Sequence, residues 1–99
     1  MRRIQALTEQ IREELEGAKD YAERSLDYKA HGESGLAGKF RDMANDELRH
    51  AMVLHDLAVS EIQTLGQVYT APVEMQEAWD KSHKEFVEQT AWVKMMLQM

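Results

Sequence analysis

Glu47 and His50 lie three residues apart in the stretch A-N-D-E-L-R-H-A, residues 44–51. On an α-helix, residues i and i+3 share a face, so this carboxylate and imidazole converge on one point, as two ligands of a metal ion do. The same spacing also occurs in solvated pairs on a wet face. What sets this pair apart is the pattern around it. Alternate steps of four and three residues give Leu36, Phe40, Met43, Glu47, His50, Leu54, Leu57 and Glu61. Glu47 and His50 therefore replace two rungs of an apolar ladder and are expected to point into the core. A polar or charged group there is costly unless it is paired, hydrogen-bonded or bound to a metal. A second interruption lies upstream, where Ile4, Leu7 and Ile11 continue to Glu14 and then to Ala18 and Tyr21. Glu13 and Glu16 fall off that ladder and read as solvated charges. In an antiparallel hairpin Glu14 and Glu47 would lie within roughly a turn of one level, at ~1.5 Å rise per residue. Two carboxylates and one imidazole suit iron or manganese and, less selectively, zinc. Three ligands make half a dinuclear site.

The elements that must position these groups read as all-α. Only one proline, Pro72, interrupts the chain, and the apolar residues recur with a period between three and four over long windows. A first helix is expected from about Arg3 to about Ala30, with Gly17 its only internal weak point. Its seam would be Ile4, Leu7, Ile11, Ala18, Tyr21 and Tyr28, with Leu15, Ala22 and Leu26 beside it. H-G-E-S-G-L-A-G, residues 31–38, concentrates three of the five glycines and marks a turn of a length suited to an antiparallel hairpin. A second helix follows from about Gly35 to about Leu65, with Gly66 as a left-handed cap. After the link Q-V-Y-T-A, Pro72 opens a third helix that carries Trp79, Phe86, Val93 and Leu97. The chain is thus a single domain over residues 1–99, a hairpin over about 3–65 plus a helix over about 72–98. Two amphipathic helices of this length offer more apolar stripe than one partner helix covers, which predicts dimerisation into a four-helix bundle.

Composition narrows the chemistry. The 99 residues carry a formal net charge of −6 with both signs interleaved, so no basic stripe points to nucleic acid or to an anionic membrane. The absence of cysteine removes disulfides, thiolate metal sites, iron–sulfur clusters and thiol catalysis. No apolar run reads as a signal peptide or a membrane span, and a cytoplasmic location is the expectation.

E-L-E-G-A-K-D-Y, residues 14–21, followed by A-N-D-E-L-R-H-A, resembles the first two helical motifs of rubrerythrins and other ferritin-like proteins. In that family a Glu on the first helix has a Tyr seven residues later, and a Glu-x-x-His follows on the second helix. Glu14, Tyr21, Glu47 and His50 fill those positions, and the resemblance spans roughly residues 4–65. It implies a di-iron centre, which such bundles build from a Glu on each of two helices and a Glu-x-x-His on each of two others. This chain holds one of each. Asp80 and His83 repeat the mutual spacing but lack an accompanying helix with the missing Glu. A two-fold homodimer, or a higher even-numbered assembly, would duplicate Glu14, Glu47 and His50 across an axis. In this respect the chain resembles the encapsulated ferritins, which carry half a site per chain; an encapsulating shell is the further partner such a resemblance allows.

The resemblance implies a ferroxidase that oxidises Fe(II) with oxygen for iron storage or detoxification, with Glu14, Glu47 and His50 as metal ligands and catalytic residues. Iron would be shared between two subunits, with manganese or zinc as alternatives. Two other readings stand beside it: a rubrerythrin-like peroxide or oxygen reductase at the same centre, and a non-catalytic helical interaction protein. Tyr21 lies two turns from Glu14 on the same face, where its hydroxyl could bond a ligand carboxylate or its ring simply pack. His55 reads as a flank histidine and His83 as a core or interface histidine. Glu61 reads as a bundle-end charge or part of a route for ions. Met95, Met96 and Met99 read as adaptable packing, and Trp79, Phe86 and Trp92 as association surface.

Overall fold

Residues 2–30 contain no proline and are rich in strong helix formers, and in the computed structural model, which describes residues 2–68 and 70–99, they form α1, Arg2–Ala30. The helix stops at Gly32, whose φ of +75° places it in the left-handed region that favours glycine. There Glu33 N–H donates to Tyr28 O at 2.9 Å and Gly32 N–H to Lys29 O at 3.1 Å, closing a Schellman motif over the last carbonyls. The turn is short, and α2, Ser34–Gly66, begins at once. Gly66 is the last residue of α2 rather than a left-handed cap, because Gln67 caps the helix with ordinary right-handed angles. Pro72, whose φ is −58°, stands at the N-cap of α3, Val73–Leu97. The expected link between α2 and α3 includes Tyr69, which lies outside the described residues, as does Met1.

Tertiary pairs set the directions. Arg3 pairs with Glu61 at 3.1 Å, and Ser25 Oγ donates to Ala37 O at 2.7 Å, so α2 runs antiparallel to α1. Arg12 pairs with Glu85 at 3.3 Å, and Lys29 Nζ donates to Met99 O at 2.6 Å, so α3 runs parallel to α1. The result is a rod of 55 × 18 × 17 Å. α1 packs along α2 as a hairpin, whereas α3 is less engaged and lies chiefly against α1. No helix among the described residues is long and apolar enough to cross a membrane.

The hairpin closes on small side chains. Ala18 and Ala22 of α1 and Ala44, Ala51 and Ala58 of α2 are completely buried, joined by Ile11, Leu15, Leu48 and, near the turn, Ala37. In α2 the alanines at 37, 44, 51 and 58 recur every seven residues, the period of a helix that keeps one narrow stripe on its partner. Methyl groups at the contact let the backbones approach closely, and the many short contacts that follow replace the bulk of larger side chains. The expected ladder on α2 is therefore displaced by one residue. Leu36, Met43 and Leu57 are 45, 36 and 51% exposed, Phe40 and Leu54 are half-buried, and Glu47 and His50 sit on the flank instead of pointing inward. The physical reason is spacing, since branched and aromatic side chains at the point of closest approach would hold the helices apart.

Trp79 and Phe86 pack against the core rather than forming an association surface, while Trp92 is 44% exposed. The four-helix bundle expected of a dimer would need a second chain, since the described residues of one chain supply three helices. If closest approach is the constraint, Ala51→Leu should overpack the seam and cost about 1–3 kcal/mol. That corresponds to a melting midpoint lower by roughly 4–24 °C for a domain of this size. Met52→Leu, one residue away on the exposed side, should melt as the parent does.

Candidate metal centre

Glu14 comes from the middle of α1, and Glu47 and His50 come from one turn of α2 facing it. Antiparallel pairing brings Glu14 opposite His50, with Glu14 Oε2 3.5 Å from His50 Nδ1. It brings Gly17 opposite Glu47. One ligand atom from each of Glu14, Glu47 and His50 lies within 4.8 Å of the others. Donor atoms held ~2.0–2.2 Å from one ion stand at most about 4.4 Å apart, so a small closure would bring all three onto a single cation. The cluster is open on one side. Glu14 and Glu47 are half-buried and the His50 side chain is 49% exposed, a consequence of the displaced seam.

The electrostatics favour a cation. Glu14 Oε2 is sealed from solvent and, while Glu47 is ionised, accepts no hydrogen bond, and an orphaned carboxylate oxygen in that position is unfavourable unless a proton or a cation meets it. Glu47 is pushed up from the ordinary value of 4.5 to about 7. The main cause is the hydrogen bond that protonated Glu47 makes to Glu14. Burial and the negative charge of Glu14 add to it, and His50 opposes it. Glu47 thus keeps a proton toward neutrality at the place where a divalent ion would neutralise both carboxylates. The donor set of two oxygens and one nitrogen fits iron, manganese or zinc without selecting among them.

Gly17 explains how Glu47 reaches this position. A Cβ on Gly17 would stand 3.3 Å from Glu47 Oε2 and 3.5 Å from its Cδ, so the bare backbone of α1 forms the floor on which the carboxylate rests. The signal available in the sequence was a glycine inside a long helix, three residues after Glu14, which costs about 1 kcal/mol relative to alanine and calls for a compensating reason. Tyr21 makes no hydrogen bond to Glu14 Oε2. Its ring lies against Phe40, with centroids 5.9 Å apart. Glu61 is occupied by Arg3 at the end of the hairpin. His55 is no simple flank residue, since its side chain is only 15% exposed and it meets His83 of α3. Asp80 is bonded by Gln76 on its own helix and does not join the cluster.

A scan against protein-family models finds no match, and neither the curated proteins nor the solved structures return a similar protein.

Two outcomes follow from this geometry. Because Glu47 titrates higher in the folded chain than at its ordinary value, the native state holds the extra proton between about pH 4.5 and about pH 7. The stability it contributes is complete below the lower value and is lost as the pH rises through the upper one. In chelator-treated protein, the melting midpoint should therefore fall relative to that of Glu47→Gln as the pH is raised from about 4.5 to about 7 and level off above it, and a constant difference across that window would contradict the retained proton. Gly17→Ala should stabilise the metal-free protein by up to about 1 kcal/mol of helix propensity, read as a higher melting midpoint, because the flexible Glu47 side chain gives way. The same change should weaken divalent-ion binding in calorimetric titration, since the displaced carboxylate no longer rests beside Glu14.

Proposed function

We propose that this chain is a ferroxidase half-subunit, whose Glu14, Glu47 and His50 bind Fe(II) as substrate and which pairs with a second copy to complete a dinuclear site. The observation that carries the reading is the convergence of three donor groups around a carboxylate oxygen sealed from solvent and left without a hydrogen bond. The motif resemblance to ferritin-like proteins supports the same ligand roles for Glu14, Glu47 and His50. The dimer is supported by the exposed face of α2. Leu36 and Met43 on one side of the cluster and Leu57 on the other are solvent-exposed large apolar side chains on the same ladder as the ligands. A two-fold axis through this face would cover them and bring a second Glu14, Glu47 and His50 into reach, giving four carboxylates and two imidazoles.

In this reading the chain's residues do three things. The carboxylates offset the charge of the ions and favour the ferric state, which carries more charge than the ferrous one. His50 supplies a nitrogen donor from the exposed side, where the substrate arrives. Glu47 gives up its proton when iron binds, so that binding strengthens as the pH rises toward about 7 and levels off above it. Each Fe(II) contributes one electron to oxygen, the acceptor.

The test compares Fe(II) oxidation in air, followed by ferric absorbance and corrected for the protein-free rate. Glu14→Ala, Glu47→Ala and His50→Ala should each slow it at least tenfold, or about 1.4 kcal/mol in the barrier. Glu13→Ala, exposed on the neighbouring position of α1, should match the parent. Light scattering under anaerobic Fe(II) should show a doubled or higher even mass that returns toward the monomer in His50→Ala, because binding to the associated state favours it by mass action. Parent and Glu47→Ala proteins that oxidise iron at one rate would overturn the assignment.

A further inference from the structure

Between α2 and α3, apart from the carboxylate cluster, two histidines meet end to end. His55 Nε2 lies 2.9 Å from His83 Nδ1, and the ring centroids are 5.1 Å apart with an interplanar angle of 29°. The centroid separation is close to the largest that this nitrogen separation permits, so each nitrogen points at the other. One must then carry a proton and the other must offer its lone pair. Lone pairs aimed at each other, rather than at a third point, make this a proton-sharing pair and not a chelate.

The two rings differ in their surroundings. His55 is the inner one. It stacks on Phe86 at 4.2 Å and 9°, with Trp79 at 5.7 Å, whereas His83 is exposed. The neutral pair is best satisfied with the proton of His55 on Nδ1, 3.8 Å from Asp56 Oδ1, and with His83 Nδ1–H donating to His55 Nε2. A proton taken from solvent then lands on the open Nε2 of His83 and leaves the bond intact. A second proton has only His55 Nε2 to take, where it turns the acceptor into a donor and sets two imidazolium rings against each other.

This junction holds a weakly anchored segment. The buried side chains of α3 are Val93, Met96 and Leu97, all at its C-terminal end. The N-terminal half rests on the half-buried Trp79 and Phe86 and on the histidine pair. We propose that His55 and His83 form a proton-operated latch that holds the N-terminal half of α3 on the hairpin at neutral pH and releases it on acidification. The C-terminal half stays docked through Val93, Met96 and Leu97. The other charged groups at this junction are Asp56 on α2, which is 88% exposed, Asp80 on α3, which Gln76 engages, and Glu85 on α3 paired with Arg12 on α1. Burial, and after it the charge of His83, hold His55 below the ordinary 6.5, against the pull of Asp56. A depressed histidine stabilises the docked state above its free value, and that stability is lost as the pH falls.

The test uses metal-free full-length protein carrying Trp92→Phe, which leaves Trp79 as the single tryptophan. Amide exchange, corrected for its intrinsic pH dependence, and Trp79 emission are followed from about pH 7.5 to about pH 5. Exchange over residues 73–86 should accelerate below the free imidazole value, by up to tenfold per pH unit for the uptake of one proton. Residues 93–97 should remain protected, and the emission should shift to the red. His55→Phe, which fills the same apolar slot and takes no proton, should abolish the pH response. His83→Gln, which keeps a donor for His55 Nε2 without a second imidazolium, should move the opening to lower pH. A parent protein whose 73–86 segment opens equally at both ends of the range, or one whose response survives in both variants, would overturn the latch.

Discussion

The close approach of α1 and α2 on alanine is the constraint from which the rest of the molecule follows. Ala18 and Ala22 face the run Ala44, Ala51 and Ala58 with no exposed surface left on any of them. Each methyl group contributes little hydrophobic burial of its own, at ~25 cal/mol per Å². Their small size brings two backbones together over the length of the rod, and the gain lies in the number of atoms in contact. Ser25 can belong to this seam because its hydroxyl finds the Ala37 carbonyl at 2.7 Å, which removes the cost of a buried polar group.

Placing alanine at the centre puts larger and polar groups at the margins. Glu14 and Glu47 stand beside the seam, buried deeply enough for the proton affinity of Glu47 to rise and open enough for an ion to arrive. A deeper site would have met a larger desolvation cost, and a fully exposed one would have left the carboxylates screened from each other. The glycine at 17 fits the same logic, since a Cβ there would press on the Glu47 carboxylate at 3.3 Å and displace it from its rest against α1. The apolar side chains displaced from the seam, Leu36, Met43 and Leu57, share the face of the cluster. In the proposed dimer, covering that face and completing the ligand set would be one event.

The third helix obeys a different balance. Its C-terminal end is anchored by buried aliphatic side chains, and its N-terminal half by aromatic and imidazole contacts that depend on protonation. The ion pairs Arg3–Glu61 and Arg12–Glu85 involve exposed groups and serve direction and register more than stability. The rod thus combines a stable hairpin with an attached helix whose two halves are held by unlike forces.

The sequence alone determined the features governed by local rules. Helical periodicity and the single proline gave three helices with ends within a few residues of those observed. The i, i+3 spacing gave Glu47 and His50 as one group, and hairpin arithmetic brought Glu14 to their level. Each depends only on rise per residue and the direction of the chain. Tertiary structure decided which of two adjacent stripes on α2 faces α1. Hydropathy favours the stripe with leucine, phenylalanine and methionine, whereas the distance between helix axes favours alanine, and that distance is a property of the pair. The half-open position of His50, the floor at Gly17, the packing of Tyr21 on Phe40 and the meeting of His55 with His83 all follow from that choice. None is encoded in the pattern of either helix taken by itself, because each is a contact between side chains on different helices whose rotation about one another is set by packing.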